Sequence, residues 1–400
     1  MHRRLRKVTR LTVKVDPHLM TDLKKMGAFD VSACYNCGNC TAICPLSVEG
    51  HELPRKLIRY AVLGLKDKIV SCPEVWLCYF CGECSTSCPR SADPGQFMMS
   101  ARRYAIRKCS WGRIADAFYN SRLLSMLALS IFPLILLGIF ATSHGPIITD
   151  EVDMWSFIPM DMIHELGLIV MGFLGFSMLA NLLLMYRNLS RGRTVTPSTN
   201  PPFVRRVGIW VKTLISTVIL EVLAQKRFTK CDDNTIEVKS KSMNKYWAHM
   251  ALFWGFLGLA GATMLDYGIN EYGLNVSRDV SRVLGIVAGI VMMYGATYFM
   301  YKRLKKDEVF STFSHFSDWI FLILLFFGGL TGFLVTTFLY AGWAEATYVA
   351  LVVHLMFSFD LLITLPFTKF AHAVYRPFAL WIVAARDRIS SQSSQAETST

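Results

Sequence analysis

Long apolar runs separated by short polar stretches fill the chain after Arg122, and nothing of that kind precedes it. Six runs are long and apolar enough to cross a bilayer as helices: roughly 123–141, 162–186, 246–268, 281–301, 315–340 and 345–370. Pro133 lies inside the first and is tolerable where neighbouring helices satisfy the freed carbonyl. Before Arg122 the periodicity is that of a soluble helical domain. Leu53, Leu57, Tyr60, Ala61 and Leu65 line one face of a helix over 52–66, and a second helix fits about 94–108. No strand alternation appears nearby. The pattern predicts an all-α protein: an extension over 1–29, a helical domain over 30–110, a membrane bundle over 120–375, and a disordered tail over 385–400.

Residues 205–224 test the count of spans. Val207, Trp210, Val211, Leu214, Ile215, Val218, Ile219 and Val222 share a helical face, and Lys212, Ser216 and Glu221 fall elsewhere. That is an amphipathic helix in the membrane interface or against the soluble domain; a seventh span is the alternative.

Composition and charge agree with a membrane protein. The chain is 53% hydrophobic with a formal net charge of +13. The charge is distributed as at a membrane surface and gives no reason to expect nucleic acid. Arg187, Arg191, Arg193, Arg205, Arg206, Lys226, Arg227 and Lys230 lie between spans two and three. The sequence YKRLKKDE follows span four, and Arg376, Arg386 and Arg388 follow span six. The loop between spans one and two holds Asp150, Glu151 and Asp153 with no Lys or Arg. This bias puts both termini and the helical domain in the cytoplasm, as an even number of spans requires. No apolar stretch follows the basic residues at the start, so no export signal is expected.

The chemistry lies in cysteines and histidines. Cys34, Cys37, Cys40 and Cys44 form C-x2-C-x2-C-x3-C-P, and Cys78, Cys81, Cys84 and Cys88 repeat it. This spacing holds two [4Fe–4S] clusters. Three thiolates of a run wrap one cube and the fourth reaches the other. Cys34, Cys37, Cys40 and Cys88 then hold one cluster, and Cys78, Cys81, Cys84 and Cys44 the second. Zinc sites or disulfides are the alternatives; zinc favours C-x2-C pairs over four-cysteine runs, and a cytoplasmic domain does not favour disulfides. Cys72, Cys109 and Cys231 are left over and read as packing residues.

His354 and His372 stand eighteen residues apart near the ends of span six. On one straight helix that is five turns and about 27 Å, with both imidazoles on one face, so one helix could serve two haems stacked across the membrane. Depth matching pairs His249 with His372 for an inner b-type haem and His164 with His354 for an outer one. His315 is the rival at the inner level and His144 at the outer. An acid inside a bilayer is costly and usually functional. Asp360 in span six and Glu165 beside His164 are candidates for proton exchange with a quinone. A hydrogen bond to a neighbouring helix is the plain alternative for Asp360.

The run CYNCGNCTAICP, the helix RKLIRYAVLGLKDKI and the run LCYFCGECSTSCPR resemble the small iron–sulfur C subunits of heterodisulfide reductases. YWAHMALFWGFLG and VVHLMFSFDLLITLPFTKFAH are similar to the haem-bearing helices of the membrane cytochromes b of nitrate and heterodisulfide reductases. Where the nitrate reductase cytochrome has a second histidine ten positions after the first, this chain has Leu259. A fusion of the two parts resembles the C subunits of quinone-interacting membrane-bound oxidoreductases of sulfate-reducing and some sulfur-oxidising bacteria. The resemblance implies an α-helical ferredoxin domain fused to a cytochrome b bundle in the cytoplasmic membrane. It implies menaquinone as substrate, flavin- and iron–sulfur-containing partner subunits like the A and B subunits of that complex, and an indirect link to adenylylsulfate reductase. A heterodisulfide reductase-like or sulfite-reducing complex is the alternative.

A stand-alone reductase is disfavoured because no G-x-G-x-x-G fingerprint follows a strand. The paired Cys-Cys-Gly motifs of heterodisulfide-cleaving subunits are missing too. A passive anchor with structural clusters is the third class; it would have no haem that quinol could reduce. Arg55, Lys56 and Arg59 form either a docking face for an acidic partner or a solvated helix face.

Overall fold

A computed structural model describes residues 14–47, 51–191, 202–226 and 236–398. The basic start of the chain, Arg193, Arg227, Lys230 and Cys231 lie outside them. Among the described residues there are helices and no strand. In the soluble part the helices α1 (Leu19–Lys25), α2 (Arg55–Val62) and α3 (Pro94–Cys109) pack together. Leu19, Leu23 and Met26, assigned by sequence to an extension, are buried with Leu57, Phe97 and Tyr104. Asp93 caps α3 by accepting from the Gln96 amide, and Pro94 starts it where a missing N–H costs nothing.

The six apolar runs are six helices long and apolar enough to cross a membrane. They are α4 (Arg122–Ser143), α5 (Met160–Arg191), α7 (Ile236–Tyr272), α8 (Arg278–Lys305), α9 (Phe316–Tyr340) and α10 (Ala344–Thr364). Helices α7 and α8 approach closely. A Cβ on Gly255 would lie 2.5 Å from the Met292 nitrogen, and one on Gly295 2.5 Å from the Ala248 carbonyl. Small residues at such points allow backbone-to-backbone packing where lipid offers no hydrophobic drive.

The 205–224 segment forms α6 (Phe203–Thr217), prolonged by a π turn to Leu223. It is not among the six candidate spans. Trp210 turns to Trp381, whose Nε1 donates to the Trp210 carbonyl at 2.9 Å. Val207, Val211, Leu214, Ile215, Val218 and Ile219 are left exposed, as on a helix lying in an apolar boundary.

Two expectations fail. Span six is not one straight helix: α10 ends at Thr364, two 3₁₀ turns follow, and α11 (His372–Thr398) begins at His372. Pro366 cannot donate within a helix, and its ring excludes the regular turn before it. The five-turn relation of His354 to His372 is therefore absent. The tail expected to be disordered from 385 is helical to 398, and Ala385 and Ile389, one turn apart, are buried.

One apolar core runs from the soluble part into the bundle, joining Trp76 and Phe97 to Ile320, Phe367 and Tyr375. Polar clamps reinforce it. Asp318, 1% exposed, meets Arg103 at 2.8 Å, Lys369 at 2.9 Å and Arg303 at 3.6 Å. Arg103 also donates to the Met26 carbonyl at 2.7 Å.

On the far side, buried Glu74 pairs with Lys56 at 2.8 Å and accepts from the Cys72 thiol at 2.6 Å. His51 lies 3.6 Å from Glu74 and 3.4 Å from Asp387 of α11. Asp387 and Glu74 raise the His51 pKa to about 9. Burial pushes Glu74 up, but His51, Cys72 and Lys56 outweigh it and hold the acid at about 2. A raised histidine stabilises in full below its unfolded value near 6.5, and that contribution is lost as pH climbs through about 9. Folding stability is expected to fall between those limits, by on the order of 1–3 kcal/mol, and the melting midpoint with it. His51→Ala should flatten that slope in a pH series of thermal melts.

Candidate redox centres

The two cysteine loops are built alike. Asn36 and Phe80 take left-handed φ of 59° and 58°, and Gly38 and Gly82 take 93° and 100°. At the glycines a side chain would be strained. The Asn36 amide donates to Cys34 Sγ at 3.3 Å and the Phe80 amide to Cys78 Sγ at 3.4 Å. Each loop then enters a single helical turn, Asn39–Ala42 or Glu83–Thr86.

The structure brings the eight cysteines into two crossed sets. Cys34, Cys37, Cys40 and Cys88 line one hollow, and Cys44, Cys78, Cys81 and Cys84 line another. Among the described residues no three metal-binding side chains close on a point that a single ion could occupy. Zinc needs four sulfurs about 2.3 Å from one centre; a hollow ringed by four sulfurs suits a cube. Burial first, then the neighbouring Cys34, pushes the Cys40 thiol up to about 11. Burial and the other sulfurs raise Cys84 further. Four thiolates packed this way need the positive charge of iron to stay ionised. Cys88→Ser is expected to perturb the cluster of the first loop, and Cys44→Ser that of the second. Electron paramagnetic resonance of the reduced single variants would show it; uncrossed ligation gives the opposite assignment.

Cys72 and Cys109 are buried, apart from both sets, with Cys72 hydrogen-bonded to Glu74 and Cys109 beside Asn188.

Next to the second set lies a cavity between α7, α9 and the start of α11. Tyr79 and Phe80, from the second cysteine loop, line both hollows. His249 and His372 face each other across the cavity, ring centroids 6.3 Å apart. Two imidazoles bound on opposite sides of a metal at about 2 Å each have centroids about 6 Å apart. His372 Nδ1–H donates to the Lys369 carbonyl at 2.6 Å, which leaves Nε2 for a ligand. Burial first, then His249, lowers the His372 pKa to about 3, so the ring is neutral. Phe256, Phe299, Phe321 and Phe370 supply apolar walls. Six cationic side chains and one carboxylate, Asp318, also line the cavity. This donor set fits a haem with anionic propionates.

The loop is tied to this cavity. The Arg376 guanidinium lies 3.2 Å from the centre of the Tyr79 ring, and Lys245 Nζ donates to the Phe80 carbonyl at 2.8 Å.

The remaining histidines separate. His354 lines an outer cavity of about 400 Å³ between α7, α8, α9 and α10. His164 does not line it; its ring packs 4.8 Å from Tyr267, with Glu271 at 3.5 Å. The structure therefore does not pair His164 with His354. On α7, His164 meets Tyr267 and Glu271, near that helix's end at Tyr272. His315 caps α9 by accepting from the Ser317 amide and stacks on Tyr119. His144 bonds the Gly145 carbonyl and packs on Phe157. Asp360 is 3% exposed, with Oδ1 free of hydrogen bonds, and Glu165 is exposed. Sequence reasoning missed the polar end of the outer cavity, where Ser281 Oγ lies 3.3 Å from Asp266 and Arg278 donates to Asn270 at 2.7 Å.

Residues 112–394 match the family described as Citrate utilization protein B, and residues 33–92 match the 4Fe-4S dicluster domain. The C subunit of the H(2):CoB-CoM heterodisulfide,ferredoxin reductase of Methanothermobacter thermautotrophicus is 35% identical over 63 residues, 16% of this chain and 34% of that protein. A protein of Archaeoglobus profundus, described as like the C subunits of heterodisulfide reductase, is 40% identical over 55 residues, 14% of this chain and 29% of its own. The iron-sulfur C subunit of the CoB--CoM heterodisulfide reductase of Methanopyrus kandleri is 31% identical over 122 residues, 30% of this chain and 55% of its own. The chain spans about a third to a half of the length of these relatives. No solved structure matches it.

Proposed function

The chain belongs to the Citrate utilization protein B family and joins to it a domain that binds 4Fe–4S clusters and is like the C subunits of heterodisulfide reductases, and on that premise we propose that it links the quinone pool to soluble redox partners. It is a multi-pass, iron–sulfur electron-transfer subunit of an oxidoreductase. The single observation that carries the finer reading is the His249–His372 pair, 6.3 Å apart in a cavity that shares Tyr79 and Phe80 with a cysteine set.

Haem b bound there supplies a one-electron carrier inside the apolar bundle. His249 and His372 hold it, the Lys369 carbonyl orients His372, and the cationic ring offsets its carboxylates. Menaquinol gives two electrons and two protons; the electrons leave singly and the protons need separate acceptors. Asp360 and Glu165 exchange those protons. Asp360 stands six residues beyond His354 on α10, about 9 Å along the axis. The eight cysteines hold two clusters, the second set beside the inner cavity and the first toward partners.

A second haem b belongs at the level of His354; His164, the partner expected from sequence, packs on Tyr267 and does not line that cavity. The partners are flavin- and iron–sulfur-containing subunits, linked to adenylylsulfate reductase as in quinone-interacting membrane-bound oxidoreductases. The heterodisulfide reductase relatives favour one second reading, a heterodisulfide reductase-like complex. Copurifying proteins decide between the two. The charge bias places the iron–sulfur domain on the cytoplasmic side of the cytoplasmic membrane.

Reduced-minus-oxidised spectra of the purified chain, with iron and haem quantified, test the proposal. Two haems and about eight non-haem irons per chain are expected, all reducible by a menaquinol analogue. Absence of haem, or haem that the quinol analogue leaves oxidised, would overturn it.

A further inference from the structure

We propose that the exposed rim of the first cysteine loop, Tyr35 with Arg55 and Arg90, is the docking surface for a redox protein that presents carboxylates around its own cofactor. This rests on the electron-transfer reading above and deepens it by naming the partner's surface chemistry.

The two loops are near copies, C-Y-N-C-G-N-C and C-Y-F-C-G-E-C, yet they meet different surroundings. The chain itself covers the second. Arg376 of α11 lies over the Tyr79 ring, Lys245 of α7 donates to the Phe80 carbonyl, and a Cβ on Gly82 would lie 2.8 Å from Val309. Tyr79 is left 8% exposed. At the matching positions of the first loop no such cover stands among the described residues. Tyr35 is 70% exposed, Cys37 is exposed, and a Cβ on Gly38 would meet Arg55 first, at 3.3 Å. The bundle occupies against the second loop the place that is open against the first.

The open rim is basic and aromatic. The Arg90 guanidinium lies 4.2 Å from the centre of the Tyr35 ring, and Arg55 Nε donates to Asn36 Oδ1 at 2.9 Å. These contacts hold both cations at the hollow ringed by Cys34, Cys37, Cys40 and Cys88. No carboxylate lines that hollow. Lys56, the neighbour of Arg55 on α2, pairs instead with Glu74 at 2.8 Å. Tyrosine and arginine are enriched where proteins bind one another, and a patch of one sign steers a partner of the other sign to one face. A second copy of this chain meeting the rim face to face would set arginines against arginines.

Mitochondrial cytochrome c, basic in its native form and acidic once its lysines are succinylated, is the probe for the full-length chain in non-ionic detergent. The chain is expected to bind the immobilised acidic form, less tightly as salt screens the charges. Arg55→Glu/Arg90→Glu should weaken that binding about tenfold or more, the scale of electrostatic steering. Lys68→Glu, also exposed but not lining the hollow, should leave it unchanged. Transfer of one electron to each ferric haem from the dithionite-reduced chain, freed of excess reductant, should favour the acidic form and lose that preference in the double variant. Arg90→Gln leaves the Arg55–Asn36 bond in place and should give a smaller loss of the same sign if the double variant fails to load iron. Equal losses from Lys68→Glu and the double variant, or a wild-type preference for the basic form, would overturn the inference. So would a dimer in detergent that the double variant splits, which would give the face to a second copy. Binding needs neither haem nor quinol, so a haem-free chain sinks the quinone reading and leaves this one standing, and an indifferent rim does the reverse.

Discussion

His372→Ala is expected to remove the inner haem from the purified chain and to disconnect quinol from the cysteine clusters. The variant keeps the cavity and its cations but loses the imidazole that faces His249 at 6.3 Å. Quinol-driven reduction of the clusters should slow by about 10²-fold or more, the scale on which misplacing a reacting group is felt. Haem content by pyridine haemochrome and cluster reduction by freeze-quench resonance measure the two effects. His249→Ala should copy both. His315→Ala is the control, because His315 caps α9 and stacks on Tyr119. It should cost about 1 kcal/mol of stability and no haem. Equal haem loss from the His315 variant, or full haem in the His372 variant, would refute the assignment.

The second large effect is expected at Asp318. Its carboxylate is the common partner of Arg103, Arg303 and Lys369. Asp318→Ala leaves several cations buried without a counter-charge, a change that typically costs about 3–5 kcal/mol. Arg103 comes from α3 of the cluster domain and Asp318 from α9 of the bundle, so the loss falls on the junction. The variant should release the cluster domain to limited proteolysis in detergent well before the bundle aggregates. Asp318→Asn, which keeps the volume, should lose nearly as much, because an amide does not offset the charge. Wild-type protease resistance in both variants would show that the apolar core alone holds the junction.

Much of the fold could be read from the chain. Apolar runs longer than a bilayer is thick have few alternatives, and each expected span coincides with a helix, although α7 starts ten residues earlier and α10 ends six earlier than its run. The two cysteine runs were legible because the spacing within each is local. The histidines were harder. Depth in a membrane follows from chain direction and charge bias, and His249 lies across from His372. Bearing around the bundle does not follow from depth, and His164 ended beside Tyr267. The break before His372 had a signal, Pro366, which a straight-helix reading of the interval passed over. The serine-rich tail looked disordered by composition, yet Ala385 and Ile389 are buried one turn apart. The Asp318 clamp joins residues over two hundred positions apart, and local pattern is silent at that distance.

The interruption at 365–371 separates two mechanical tasks. A rigid rod carrying His354 and His372 would transmit any tilt at one end to the other, so adjusting one centre would disturb its neighbour. With two short turns between them, α10 and α11 are separate levers. Mutation near Leu259 or Gly332 can reshape the outer chamber without shifting the Lys369 carbonyl that steers His372. The two chambers can thereby be reshaped separately while the chain keeps one architecture.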